Sequence, residues 1–166
     1  MNNIFISSKS ADWTTPNWLY KQLDDEFHFE LDAACTNENC KCPDGLIYYS
    51  EEDNALTINW WNVKAKGNGT CKSIFCNPPY NNLEKWIIKG FEAYIQGCTV
   101  VFLLPCTKSD QEWWHTYVVS HAEIRYIKGR LKFGGCKNAA PFPSVVVIFG
   151  NKTVPRRGIG ASYDNK

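Results

Sequence analysis

Residues 74–80 read Ile74-Phe75-Cys76-Asn77-Pro78-Pro79-Tyr80. An apolar, strand-forming run breaks at once into Asn-Pro-Pro-Tyr, and two consecutive prolines forbid both a longer strand and an immediate helix. The sequence therefore predicts a rigid, extended loop at the C-terminal end of a strand, where open α/β sheets carry their ligand sites. Asn77 and the Pro78 carbonyl can accept the two hydrogens of an amino group while Tyr80 stacks on the flat heterocycle that bears it. The plainer alternative is a turn with a packed tyrosine.

Working outward, Leu83, Trp86, Ile87, Phe91, Tyr94 and Ile95 recur at helical spacing, and Gly97 stops the run. Thr99 to Leu104 is continuously apolar, as expected of a strand buried on both faces, and Pro105 ends it. Ser109-Asp110-Gln111-Glu112 has the form of a capping box opening the next helix. Ala122 to Lys128 alternates as a strand, and Ser144 to Phe149 reads as the last one. Residues 151–166 are polar and are expected to be a loose tail behind one domain of residues 1–150.

Upstream, Thr15 and Pro16 predict an N-cap and a first helical position, with Leu19, Leu23 and Phe27 forming the helix's apolar stripe. Phe27 to Cys35 reads as the first strand of a nucleotide-binding unit, with Asp32 at its tip. Ala33-Ala34-Cys35 stands where a glycine-rich turn against a cofactor is usual, and no G-x-G is present. Tyr48-Tyr49 ends a second strand, followed by the acids Glu51, Glu52 and Asp53. These are either a solvated turn or ligands for ribose hydroxyls. The α/β alternation points to a twisted, mainly parallel sheet with flanking helices.

Composition narrows the setting. The 166 residues, 44% hydrophobic, suit one domain with an ordinary core. A net charge of +1 argues neither for nor against nucleic acid, so any DNA-binding face needs its cations gathered. Arg125, Lys128, Arg130, Lys132 and Lys137 are the one such cluster, either a solvated edge strand or a segment that tracks phosphates. Eight cysteines, with no signal-peptide pattern and no apolar run near 18 residues, are read as free thiols of a reducing, cytoplasmic protein with no membrane segment. Cys35, Cys40 and Cys42 lie close together but lack a paired C-x-x-C knuckle, so no metal is expected.

The ordered set Asp12-Trp13-Thr14-Thr15-Pro16, Leu31 to Cys35, Asp53 to Leu56 with Trp60, Asn77 to Tyr80, Leu103-Leu104-Pro105, Gly129 to Phe133 and Pro141 to Ser144 resembles the small phage N-6-adenine DNA methyltransferases, the phage Dam family. The resemblance implies a Rossmann-like, seven-stranded methyltransferase fold with an antiparallel last strand. It implies S-adenosylmethionine as cofactor, double-stranded DNA as partner, and direct transfer of a methyl group to the 6-amino group of a flipped adenine. Asn77, Pro78, Pro79 and Tyr80 would be catalytic. Trp13, Thr14, Thr15, Pro16, Asp32, Ala33, Ala34, Asp53 and Asn77 would bind the cofactor. A monomer or weak homodimer working in the host cytoplasm is expected. Three rivals stand beside this reading: cytosine C5 chemistry at Pro105-Cys106, methylation of protein glutamine amides, and a non-catalytic DNA-binding relic.

Overall fold

The structure, a computed structural model, describes residues 13–35, 47–50, 53–64, 69–134 and 136–150. Cys40, Cys42, Glu51, Glu52 and the expected tail 151–166 lie outside the described residues.

Helix α1 (Asn17–Phe27) buries Leu19, Tyr20 and Leu23. It ends where His28 turns left-handed at φ 51°, its N–H donating to the Asp24 carbonyl. The helix begins differently from the sequence expectation. Pro16 itself is the N-cap residue, its carbonyl accepting from the Leu19 and Tyr20 amides, and no side chain caps the end. Thr15 is released for another partner, described below. The first strand is also shorter than expected, because α1 runs through Phe27 and leaves only Leu31–Asp32 as β1.

The remaining strands are β2 (Ile47–Tyr48), β3 (Ser73–Cys76), β4 (Thr99–Pro105), β5 (Ala122–Tyr126) and β6 (Ser144–Phe149), with helix α2 (Leu83–Ile95) crossing between β3 and β4. They form one sheet in the order β2-β1-β3-β4-β6-β5. Pairings from β2 to β4 are parallel, whereas β6 runs antiparallel to both β4 and β5. The last strand is thus the reversed one, as expected of the Rossmann-like methyltransferase fold. Among the described residues the sheet has six strands, where the resemblance implied seven.

Every residue of β3 and β6, and all of β4 beyond Thr99, is buried, so the sheet is covered on both faces. Alternate residues divide the core. Ile74, Val100, Phe102, Val145 and Val147 pack with Trp60, Trp86, Ile87 and Trp114 on one side. Phe75, Val101, Leu103, Val146 and Ile148 pack with Leu19, Leu23, Phe29 and Phe133 on the other. Helix α2 lies so close to β4 that a Cβ on Gly90 would stand 2.4 Å from the Phe102 ring.

Two sequence features acquire structural roles. Trp60 is fully buried, and its indole Nε1 donates to the Ala55 carbonyl at 2.9 Å, tying down the turn that follows Asp53. The expected capping box does not form. The Ser109 amide donates instead to the Cys106 carbonyl at 3.3 Å, within a 3-10 turn over Cys106–Lys108. The helix that follows is π-wound over Trp114–Val119, with Trp113 and Trp114 anchored in the core.

Candidate active site

Because β1 and β3 are parallel neighbours, with Asp32 opposite Phe75, the tip of β1 stands beside the chain leaving β3 at Asn77. Residues 77–79 adopt no regular structure, as the two prolines require. Asn77 is half-buried, Pro78 buried, Pro79 exposed and Tyr80 half-buried.

The Asn77 amide is held by the segment preceding α1. Its Nδ2 donates to the backbone carbonyl of Trp13 at 2.8 Å and to the Thr15 hydroxyl at 3.0 Å. A carbonyl only accepts, so this partner fixes which end of the amide is nitrogen. Oδ1 must then face the other way, where the Tyr80 hydroxyl donates to it at 3.4 Å. The acceptor end of the amide is thereby presented along the Asn-Pro-Pro-Tyr loop.

Four aromatic rings gather around this loop. Trp13 lies 5.0 Å edge-on from Phe133, 5.2 Å from Phe142 and 6.1 Å from Tyr80, and Phe142 meets Tyr80 edge-on at 5.5 Å. Burial pushes the Tyr80 phenol above its ordinary pKa, so it stays protonated and can donate. Phe133 and Phe142 were legible only as members of the family pattern. The local signal for them is a pair of rings in an otherwise polar, glycine- and lysine-rich stretch. That stretch is fastened to the N-terminal segment, since the Gly134 amide donates to the Thr14 carbonyl at 2.9 Å.

At the tip of β1, Asp32 is 4% exposed and its Oδ1 accepts from the Ala34 amide at 3.2 Å. Burial raises its pKa to about 7, although that amide opposes the shift. Burial first, and then the Asp32 charge, push the thiols of Cys35 (to about 12) and Cys76 up as well. Asp53 contrasts with Asp32. It is exposed, and the Ser50 amide and hydroxyl, at 2.8 and 2.9 Å, hold it below the usual carboxylate range.

The basic cluster divides. Lys128, Arg130, Lys132 and Lys137 are exposed. Arg125 is not a surface cation: it is 6% exposed and bound to Glu26 at 2.6 and 2.7 Å and to Glu123 at 2.7 Å. These bonds, with Glu26 the larger cause, push its pKa further up. Period-two alternation turns Arg125 inward on β5 while Tyr126 faces out, which removes it from the expected DNA-binding set. Arg130 braces its own loop by donating to the carbonyls of Ala140 and Pro141.

With this geometry in place, comparison with known proteins is decisive. The family model described as DNA N-6-adenine-methyltransferase (Dam) matches residues 5–166. The chain belongs to that family. Among curated proteins, it is 30% identical over 120 residues to the DNA N-6-adenine-methyltransferase of Escherichia phage T1. That match covers 72% of this chain and 45% of the phage protein, so the chain spans under half of that relative's length. It is also 36% identical over 69 residues to the putative methyltransferase YfdM of Escherichia coli K12, covering 41% of this chain and 69% of that protein. Dam-family membership leaves the cytosine and glutamine-amide readings without support. Cys106 lies half-buried in a 3-10 turn, and no role is assigned to it. Among the described residues, no group of three His, Cys, Asp or Glu side chains is placed to hold a metal, and no helix is long and apolar enough to cross a membrane.

Proposed function

We propose that this protein transfers a methyl group from S-adenosylmethionine to the 6-amino group of adenine in double-stranded DNA. The observation that carries the reading is the orientation of Asn77, whose two donors are held by Trp13 and Thr15 so that Oδ1 is left to accept. An exocyclic amine is a poor nucleophile because its lone pair is delocalised into the ring. Accepting its two hydrogens, at Asn77 Oδ1 and the Pro78 carbonyl, favours a tetrahedral nitrogen and localises that lone pair. Tyr80 stacks on the base, which must leave the duplex to arrive there. On arrival, the amine takes the place of the Tyr80 hydroxyl at Oδ1.

The residues at the tip of β1 fit the cofactor. The carboxylate of Asp32, disfavoured by burial, is stabilised by a cationic ligand, and Ala33 and Ala34 beside it carry only methyl side chains. Asp53 offers an ionised, exposed acid for ribose hydroxyls. Trp13, Thr14, Thr15 and Pro16 close the site from the N-terminal side. When bound, S-adenosylmethionine supplies an electrophilic sulfonium methyl for direct transfer. Lys128, Arg130, Lys132 and Lys137 belong to the loop that carries Phe133 and Phe142, and contact DNA phosphates around the extruded base.

The test is transfer of radiolabelled methyl from S-adenosylmethionine to unmethylated DNA, followed by nucleoside analysis. Label in 6-methyladenine is expected. Label in cytosine, or none with cofactor binding intact, would overturn the reading.

A further inference from the structure

We infer that Thr15 is a positioning residue for catalysis, acting through Asn77. It does not serve the helix, as a threonine before Pro16 is expected to do. Pro16 occupies the N-cap position of α1, and no side chain caps that end. Thr15 is 5% exposed, and its hydroxyl accepts from Asn77 Nδ2 at 3.0 Å. The Trp13 carbonyl takes the other hydrogen of that nitrogen at 2.8 Å.

The chemistry makes this pair consequential. A primary amide rotated half a turn about its last side-chain bond exchanges its acceptor for a donor, and a donor facing an amino group repels it. Trp13 and Thr15 together occupy both N–H groups of Asn77, so the rotated form would set Oδ1 against the Trp13 carbonyl, which cannot donate, and would force the Thr15 hydroxyl to turn from acceptor to donor. The Trp13 carbonyl is itself fixed by the adjoining backbone pair, in which Gly134 donates to the Thr14 carbonyl at 2.9 Å. That pair belongs to the same loop as the exposed Lys132 and Lys137. Amide orientation is thus tied both to the N-terminal segment and to the loop that carries the basic side chains. This role rests on the proposed amine methylation, but the orientation itself can be observed without turnover.

The experiment compares wild type, Thr15→Val and Thr15→Ser as full chains. Valine keeps the shape and removes one hydrogen-bond acceptor, worth roughly tenfold in rate. Thr15→Val is expected to lower kcat about tenfold while KM for DNA stays within about twofold. Thr15→Ser is expected to restore most of the rate. In 15N-labelled protein, the Asn77 side-chain N–H signals should be protected from solvent exchange in wild type and Thr15→Ser, and shifted and faster-exchanging in Thr15→Val. An unchanged kcat in Thr15→Val, equal loss in both variants, or unchanged Asn77 amide signals would overturn the inference. Absence of adenine methylation by wild type, with the amide signals behaving as expected, would instead overturn the proposed function and leave the positioning contact standing.

Discussion

The Nδ2 of Asn77 lies 2.8 Å from the backbone carbonyl of Trp13, a residue 64 positions earlier in the chain. This single contact decides the polarity of the amide. It makes Asn77 an acceptor toward the loop, the character that recognition of an amino group demands.

Asn77→Asp separates hydrogen-bond acceptance from amide chemistry. The aspartate retains acceptors, yet it places an anionic oxygen against the Trp13 carbonyl, which cannot donate to it. Methyl transfer should fall by at least about 100-fold, as when a preorganised polar contact to the reacting group is removed. Cofactor binding measured by calorimetry should persist. Full activity of this variant would show that acceptance at position 77 suffices and that the N–H contacts to Trp13 and Thr15 are dispensable.

In the proposed mechanism Tyr80 acts through its ring rather than its hydroxyl. Tyr80→Phe removes the 3.4 Å contact to Asn77 Oδ1 but keeps the stacking face. It should retain kcat within about threefold. Tyr80→Ala should lose on the order of 10-fold or more, the loss expected when a base loses its stacking partner. Parallel single-turnover assays of the two variants test this ordering.

Arg125 should matter to stability and not to DNA affinity. Arg125→Met strips the guanidinium from Glu123, whose side chain is 5% exposed, and from the more exposed Glu26. Breaking a buried pair from one side costs about 3 kcal/mol or more. Urea denaturation should report that loss, while the salt dependence of DNA binding stays unchanged. Lys132→Ala should do the reverse, lowering the slope of log K against log salt by about 1.

Asp32 makes the stability of the ligand-free protein depend on pH. Its pKa rises from 3.8 to about 7 on folding, so the native state binds a proton that the unfolded chain releases between those values. The contribution is fully present below pH 4 and is lost as pH rises through 7. Asp32→Asn should remove this fall, which is on the order of 4 kcal/mol. It should also be more stable than wild type at pH 8, and S-adenosylmethionine should bind it more weakly. Thermal melts from pH 5 to pH 8 would show the difference, and a parallel decline in both proteins would exclude Asp32 as its source.

The order of strands and helices was legible along the chain, because continuous apolar runs at 99–104 and 144–149 and helical spacing at 83–95 are local signals of burial. The abrupt stop at Asn77-Pro78-Pro79-Tyr80 was equally local, since proline geometry needs no distant partner. The short first strand, the missing capping box and the inward turn of Arg125 were not. Each depended on which of several possible partners, near or distant in the chain, claimed a polar atom. Ser73 of β3 bonds the Phe27 and Glu30 backbones at the start of β1, Cys106 takes the Ser109 amide, and Glu26 and Glu123 enclose Arg125. Thr15 shows the division most sharply. From its neighbours in sequence it is a helix cap beside a proline, and the family resemblance makes it a cofactor-binding residue; neither reading links it to Asn77. Only folding brings it to Asn77, since a hydrogen bond depends on proximity in space, and these two residues are separated by 62 positions along the chain.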